Sequence, residues 1–229
     1  MADYIDFTSD NINVFMFLID KSNSMAGNED EIKKGIENFV RSFENFEESS
    51  SLAVSICYFS DYMEFAEFKK IEEIQIDYYT DGGTWLNTAI VEAHKKLKKY
   101  MKKVVKTTNV IPRMTFVLLS DGKAYGDELP YECGKEEIEE MNYAGITTAF
   151  VAFGEAISSE YGKKMGFMAN IDTDDLVNFF GVELSESCKE QSRSYVSLGS
   201  NFFSQVGKSS TYSNTTAQAL DDDDWFNQM

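Results

Sequence analysis

Val14-Phe15-Met16-Phe17-Leu18-Ile19-Asp20-Lys21-Ser22-Asn23-Ser24 holds the most hydrophobic run of the chain and ends it in oxygen-bearing side chains. The run reads as a buried strand. In an extended segment alternate residues point the same way, so positions 20, 22 and 24 converge while Lys21 and Asn23 turn aside. One carboxylate and two hydroxyls are hard donors that suit a small divalent cation such as Mg²⁺ and suit zinc or copper poorly. Three ligands are too few for an octahedral ion, so a metal site here needs more oxygens from later in the chain.

Outward from this stretch, strands and helices alternate. After the turn at Gly27, the acids Glu29, Asp30 and Glu31 favour a helix N-terminus, and Ile32, Ile36, Phe39, Val40, Phe43 and Phe46 follow at helical spacing. Residues 52–59 read as a strand and 63–68 as an antiparallel edge strand after a turn at Ser60-Asp61. A long amphipathic helix spans 86–105, and Met114 to Leu119 forms another buried strand. A helix at 134–143, a strand at 146–153, a short helix at 158–165 and a short strand at 167–169 follow. A last helix then carries Leu176, Phe180, Leu184 and Cys188. This order predicts an α/β fold: a doubly wound, mostly parallel sheet flanked by helices, with one antiparallel edge strand. The expected organisation is an extension over 1–10, one domain over 11–196, and a flexible acidic tail over 197–229, rich in Ser, Thr, Asn and Gln.

At 229 residues with 43% hydrophobic side chains the chain can build a large core, and its net charge of −18 argues against nucleic acid as a main partner. The first ten residues lack Lys, Arg and any apolar run, and no segment approaches the ~20 apolar residues of a membrane span. Cys57, Cys133 and Cys188 are odd in number and far apart, which reads as reduced thiols. The expectation is a cytoplasmic protein without membrane contact.

Open α/β sheets bind ligands at the carboxyl ends of their strands, where strand order reverses. Two further places set oxygens at such ends. Gly82-Gly83-Thr84 precedes the long helix, and Asp121 follows Phe116-Val117-Leu118-Leu119-Ser120. The set is then Asp20, Ser22, Ser24, Thr84 and Asp121.

With these three parts in order, residues 12–196 resemble a von Willebrand factor A domain carrying a metal-ion-dependent adhesion site. Within that superfamily the chain is most similar to the bacterial TerY-like group, through Lys106-Thr107-Thr108 and Asp175-Leu176-Val177-Asn178-Phe179-Phe180. The resemblance implies that Ser22, Ser24 and, in one state, Thr84 bind Mg²⁺ directly, with Asp20 and Asp121 acting mainly through water. It further implies a non-enzymatic module whose ion takes an Asp or Glu carboxylate from a partner protein. In TerY-like systems that module works beside a kinase and a phosphatase, in tellurite and stress resistance. Mn²⁺ or Ca²⁺ would fit the same donors. The chain departs from the pattern at Lys21 and Asn23, where smaller or acidic residues are usual. Lys21 and Gly83 are placed beside the incoming ligand.

Other features carry blander readings. The five oxygens also suit ordinary helix capping. His94, the sole histidine, reads as a packed side chain, and the lysines of 95–103 as a solvated helix face. Asp221, Asp222, Asp223 and Asp224 read as a solubilising end, or as carboxylates that occupy the metal site of this domain or of a second copy. The enzyme alternative is a Mg²⁺-dependent phosphohydrolase. Its nucleophilic Asp needs a second Asp two residues on, and Ser22 stands there.

Overall fold

A computed structural model describes residues 5–7, 10–122, 124–154 and 157–204. Among these the sheet has six strands: β1 (Asn13–Asp20), β2 (Leu52–Phe59), β3 (Met63–Glu64), β4 (Arg113–Ser120), β5 (Thr147–Phe153) and β6 (Ala169–Thr173). Their order is β3-β2-β1-β4-β5-β6, parallel throughout except for β3, which runs antiparallel to β2. This is the expected α/β class.

Every residue of β1 is buried, because helices cover both faces of the sheet. Alternation then sorts its side chains between two cores. Val14, Met16 and Leu18 pack with the residues of α2 (Leu86–Thr108) and α3 (Tyr131–Tyr143). Phe15, Phe17 and Ile19 pack with α1 (Glu29–Ser42) and the C-terminal helical run, with Phe17 edge-on to Phe39 at 5.2 Å. That run comprises α5 (Leu176–Asn178), a π-helical turn (Phe179–Leu184) and α6 (Ser185–Arg193); α4 (Ser159–Met165) precedes β6.

The outer strands differ from the sequence reading. The edge strand expected over 63–68 is only two residues long. Beyond it Ser55 Oγ donates to the Ala66 carbonyl at 2.7 Å, so a side chain takes the place of a ladder bond. The chain then returns to β2 in a single bridge between Val54 and Lys69. The last strand is Ala169–Thr173 and not 167–169, because Phe167 is a core residue, its ring stacked with Phe116 and tilted against Phe150. Asp175 caps the helix that follows, accepting from Asn178 N at 2.9 Å. Leu198, Phe202 and Phe203, which composition assigns to the tail, pack in the α1-side core, and Phe202 has no exposed surface.

β1 leads through α1 to β2 on one side, and the chain returns through α2 to β4 on the other. Strand order therefore reverses at β1 and β4, which run side by side through Ile19 and Leu119. The crevice at their carboxyl ends lies between Asp20 and Ser120-Asp121.

Candidate metal centre

Asp20 ends β1 with no exposed surface. Ser22 N donates to its Oδ1 at 2.8 Å, and Ser120 Oγ donates to its Oδ2 at 2.6 Å, so both carboxylate oxygens are held. Its main-chain carbonyl accepts from the Tyr78 hydroxyl at 2.7 Å. Ser22 and Ser24 meet as expected, but through a tight turn and not through strand alternation. Asn23–Met25 is one turn of 3₁₀ helix, closed by Met25 N donating to Ser22 O at 2.9 Å. Ser22 Oγ lies 2.9 Å from Ser24 Oγ, and Ser24 Oγ donates to Asp121 Oδ1 at 2.7 Å. Three neighbouring oxygens thus cross from the end of β1 to the end of β4.

Thr84 sits buried on a third loop that backbone bonds tie to both others. Asn23 N donates to Gly82 O at 3.2 Å and Asp81 N to Lys21 O at 2.8 Å. On the other side Tyr125 N donates to Thr84 O at 2.9 Å, four residues past Asp121. Gly82 has φ +69°, and a Cβ there would stand 2.3 Å from Asp61 Oδ1, so this close turn requires glycine. Gly83 lies against the Tyr125 carbonyl, which a Cβ would approach to 3.3 Å.

The electrostatics of this corner favour a cation. Burial pushes the Asp20 carboxyl up to about 6; hydrogen bonds from Ser120 and Ser22 oppose the rise, and nearby Asp121 adds to it. Burial likewise raises Asp121, against the Ser24 hydrogen bond. Among the described residues no Lys or Arg forms an ion pair with either carboxylate. Two carboxylates and the neighbouring Ser22 and Ser24 hydroxyls, with no described positive side chain paired to the carboxylates, are hard oxygen donors of the kind a divalent ion takes.

Lys21 does not face an incoming ligand. Its side chain is fully buried beneath Tyr62 and Tyr79, with Nζ 4.0 Å from each ring centroid, 2.5 Å from Glu64 Oε1 and 3.2 Å from Asp81 Oδ1. Burial pulls its pKa down, but hydrogen bonds to Glu64, Tyr62, Tyr79 and Asp81 overcome this and raise it. The cage joins three segments: the loop after β1, the β2–β3 hairpin, and the segment leading to Thr84. Tyr62 donates to Asp81 Oδ2 and Tyr79 to Glu64 Oε1, both at 2.6 Å.

Asp127 is a second support that sequence reasoning missed. It accepts from Asn87 N and Thr88 Oγ1 at 2.6 Å each, capping α2 from the loop that follows Asp121. Ser120 was visible as part of Ser120-Asp121-Gly122, and only the fold assigns it to Asp20. Asp221, Asp222, Asp223 and Asp224 lie outside the described residues.

A model of the von Willebrand factor type A domain matches residues 15–191. Among solved structures, the pilus adhesin SpaC of Lactobacillus rhamnosus GG in its open conformation superposes with TM-score 0.62 at 13% identity. That match covers 79% of this chain and 30% of the adhesin, so the present chain spans under a third of that protein's length. Manganese-loaded TRAP protein of Plasmodium vivax matches with TM-score 0.53 at 14% identity, over 75% of this chain and 74% of that one. Proximal thread matrix protein 1 from the mussel byssus, with a zinc-occupied MIDAS motif, matches with TM-score 0.52 at 13% identity, over 77% and 46% of the two chains. No curated protein sequence matches. At such identities the structural likenesses speak for the fold alone, and it is the model spanning most of the sheet and its helices that decides the family: the chain belongs to the von Willebrand factor type A domain family.

Proposed function

We propose that this chain is a metal-dependent protein-binding module. In this reading Asp20, Ser22, Ser24, Thr84 and Asp121 hold one divalent ion, Mg²⁺ by preference and Mn²⁺ or Ca²⁺ in its place. The observation that carries it is the run of oxygens from Ser22 through Ser24 to Asp121, set above a buried Asp20 that pairs with no described cation. The hydroxyls are neutral donors, so an ion held mainly through them stays electrophilic toward an outside anionic oxygen. Ion and two carboxylates sum to no net charge, so an Asp or Glu of a partner protein can approach despite the acidic chain. The manganese and zinc named for two structural neighbours accord with a divalent site on this fold.

The finer reading is a scaffold of the TerY-like kind, working in the cytoplasm beside a kinase and phosphatase in tellurium-resistance or stress signalling. It rests on the sequence resemblance at 106–108 and 175–180. No described helix is long and apolar enough to cross a membrane. Self-association through Asp221–Asp224 belongs to the same reading, and deletion of 219–229 tests it: oligomeric state and partner affinity should both change. Phosphohydrolase chemistry lacks its second carboxylate at Ser22, and a generic phosphatase assay with Mg²⁺ should give no turnover.

The central test is Mg²⁺ titration by calorimetry beside affinity capture with and without chelator. Thr84→Ala should weaken Mg²⁺ by about tenfold or more and release the same partner that chelator releases. Equal Mg²⁺ affinity in folded wild type and variant would remove Thr84 from the site.

A further inference from the structure

Between α2 and α3, the chain's only histidine meets two carboxylates. His94 is 1% exposed and its Nδ1 hydrogen-bonds the Glu137 carboxylate of α3. Glu140, one turn further along α3, brings a third donor, and the three ligand atoms lie within 4.8 Å of one another. Glu137 and Glu140 stand three residues apart and so share one helix face. This is the way facing helices assemble metal sites, with side chains from each converging between them.

The surroundings add charge and room. His94 and Glu140 line a cavity of about 660 Å³, whose wall also holds Glu136, Glu139 and Lys98. Glu140 is met by Lys98 Nζ at 3.4 Å, a contact between two largely solvated groups that an ion can displace at little cost. A neutral imidazole and two carboxylates total −2, which one divalent ion neutralises.

We infer that His94, Glu137 and Glu140 form a second metal site, distinct from the one at Asp20, that takes Zn²⁺. The imidazole nitrogen decides the class. Mixed nitrogen and carboxylate donors suit a borderline ion such as Zn²⁺, whereas Mg²⁺ prefers oxygen alone. Three protein ligands leave one tetrahedral position for water or a partner's side chain. Metal binding replaces the His94–Glu137 hydrogen bond: the proton between them leaves, the two atoms part to the roughly 3.3 Å that a tetrahedral ion sets, and the exposed Glu140 swings in.

The test counts Zn²⁺ on the full chain by equilibrium dialysis and elemental analysis, and reads Co²⁺ substitution by visible absorption. Asp121→Ala, which disables the first site, should retain one equivalent and the Co²⁺ bands. Glu140→Gln, a change at an exposed position that leaves the core intact, should lose one equivalent or bind it about tenfold or more weakly. Its Mg²⁺ titration should stay at the wild-type value. His94→Gln should also abolish the bands; if it does not fold, Glu140→Gln alone decides. Unchanged Zn²⁺ equivalents, affinity and Co²⁺ spectrum in Glu140→Gln would overturn the assignment, as would loss of all Zn²⁺ in Asp121→Ala.

Discussion

Asp20 is a carboxylate that the fold has taken wholly out of water, in a corner with no described cation paired to it. A carboxyl whose pKa rises on folding binds its proton more tightly in the native state. Its contribution to stability is therefore full below the unfolded value near 3.8 and is lost as pH rises through about 6. From 3.8 to about 6 the loss amounts to about 3 kcal/mol. Asp20→Asn keeps an acceptor for Ser22 N and offers Ser120 Oγ a donor, without the charge. Metal-free at pH 7, that variant should be more stable than wild type by up to about 3 kcal/mol. The gap should close at pH 4, and added Mg²⁺ should stabilise wild type alone. Denaturant melts across this range with chelator and with Mg²⁺ check all three; a wild type that is the more stable one in chelator at pH 7 would refute the argument. At this scale much of the site was legible. Asp20, Ser22, Ser24 and Asp121 follow apolar runs whose ends a parallel sheet gathers together. Tyr78 was not, because a hydroxyl 58 residues away on an irregular segment leaves no periodic trace.

Between elements, the Lys21 cage does what no single strand or helix does: it fastens the loop after β1 to the hairpin and to the approach to Thr84. Lys21→Met keeps the length of the side chain and removes its charge. Glu64 and Asp81 are about a third exposed, at 33% and 37%, so water reclaims them. The loss should be about 1–3 kcal/mol, below the cost of breaking a fully buried pair. If the cage positions the Thr84 loop, folded Lys21→Met should also bind Mg²⁺ about tenfold more weakly, as loss of an outer support does. Urea melts and calorimetry separate the two effects. A destabilised variant with wild-type Mg²⁺ affinity would leave the cage a structural role alone. Sequence reading saw Lys21 as a departure from the family and placed it near the ligand, because alternation alone cannot say where a lysine's long stem leads. Its partners lie 41 to 60 residues on, in a hairpin and a loop with no hydrophobic period to reveal them.

For the whole molecule, the alternation of buried strands with amphipathic helices made the sheet legible, since each core face of β1 repeats every second residue. Its outer limits were harder to read. Composition marks residue 197 as the end of folded sequence, because Ser, Asn and Gln dominate beyond it, yet composition is blind to one well-placed aromatic. Phe202 is fully buried, its ring 5.0 Å from Phe203, which packs in turn on Phe179 at 6.1 Å. The segment thereby closes the α1-side core, the layer that also holds Phe15, Phe17 and Ile19 of β1. Removing that ring leaves a cavity that a helix-covered sheet fills only in part. Phe202→Ala should cost about 3–5 kcal/mol and lower Tm by on the order of 10 °C. A chain cut after residue 197 should melt lower than one cut after 204 by at least as much, since only the shorter one lacks Leu198, Phe202 and Phe203. Thermal melts of the three decide where the folded unit stops, and equal Tm for cuts after 197 and 204 would return the boundary to the one composition draws.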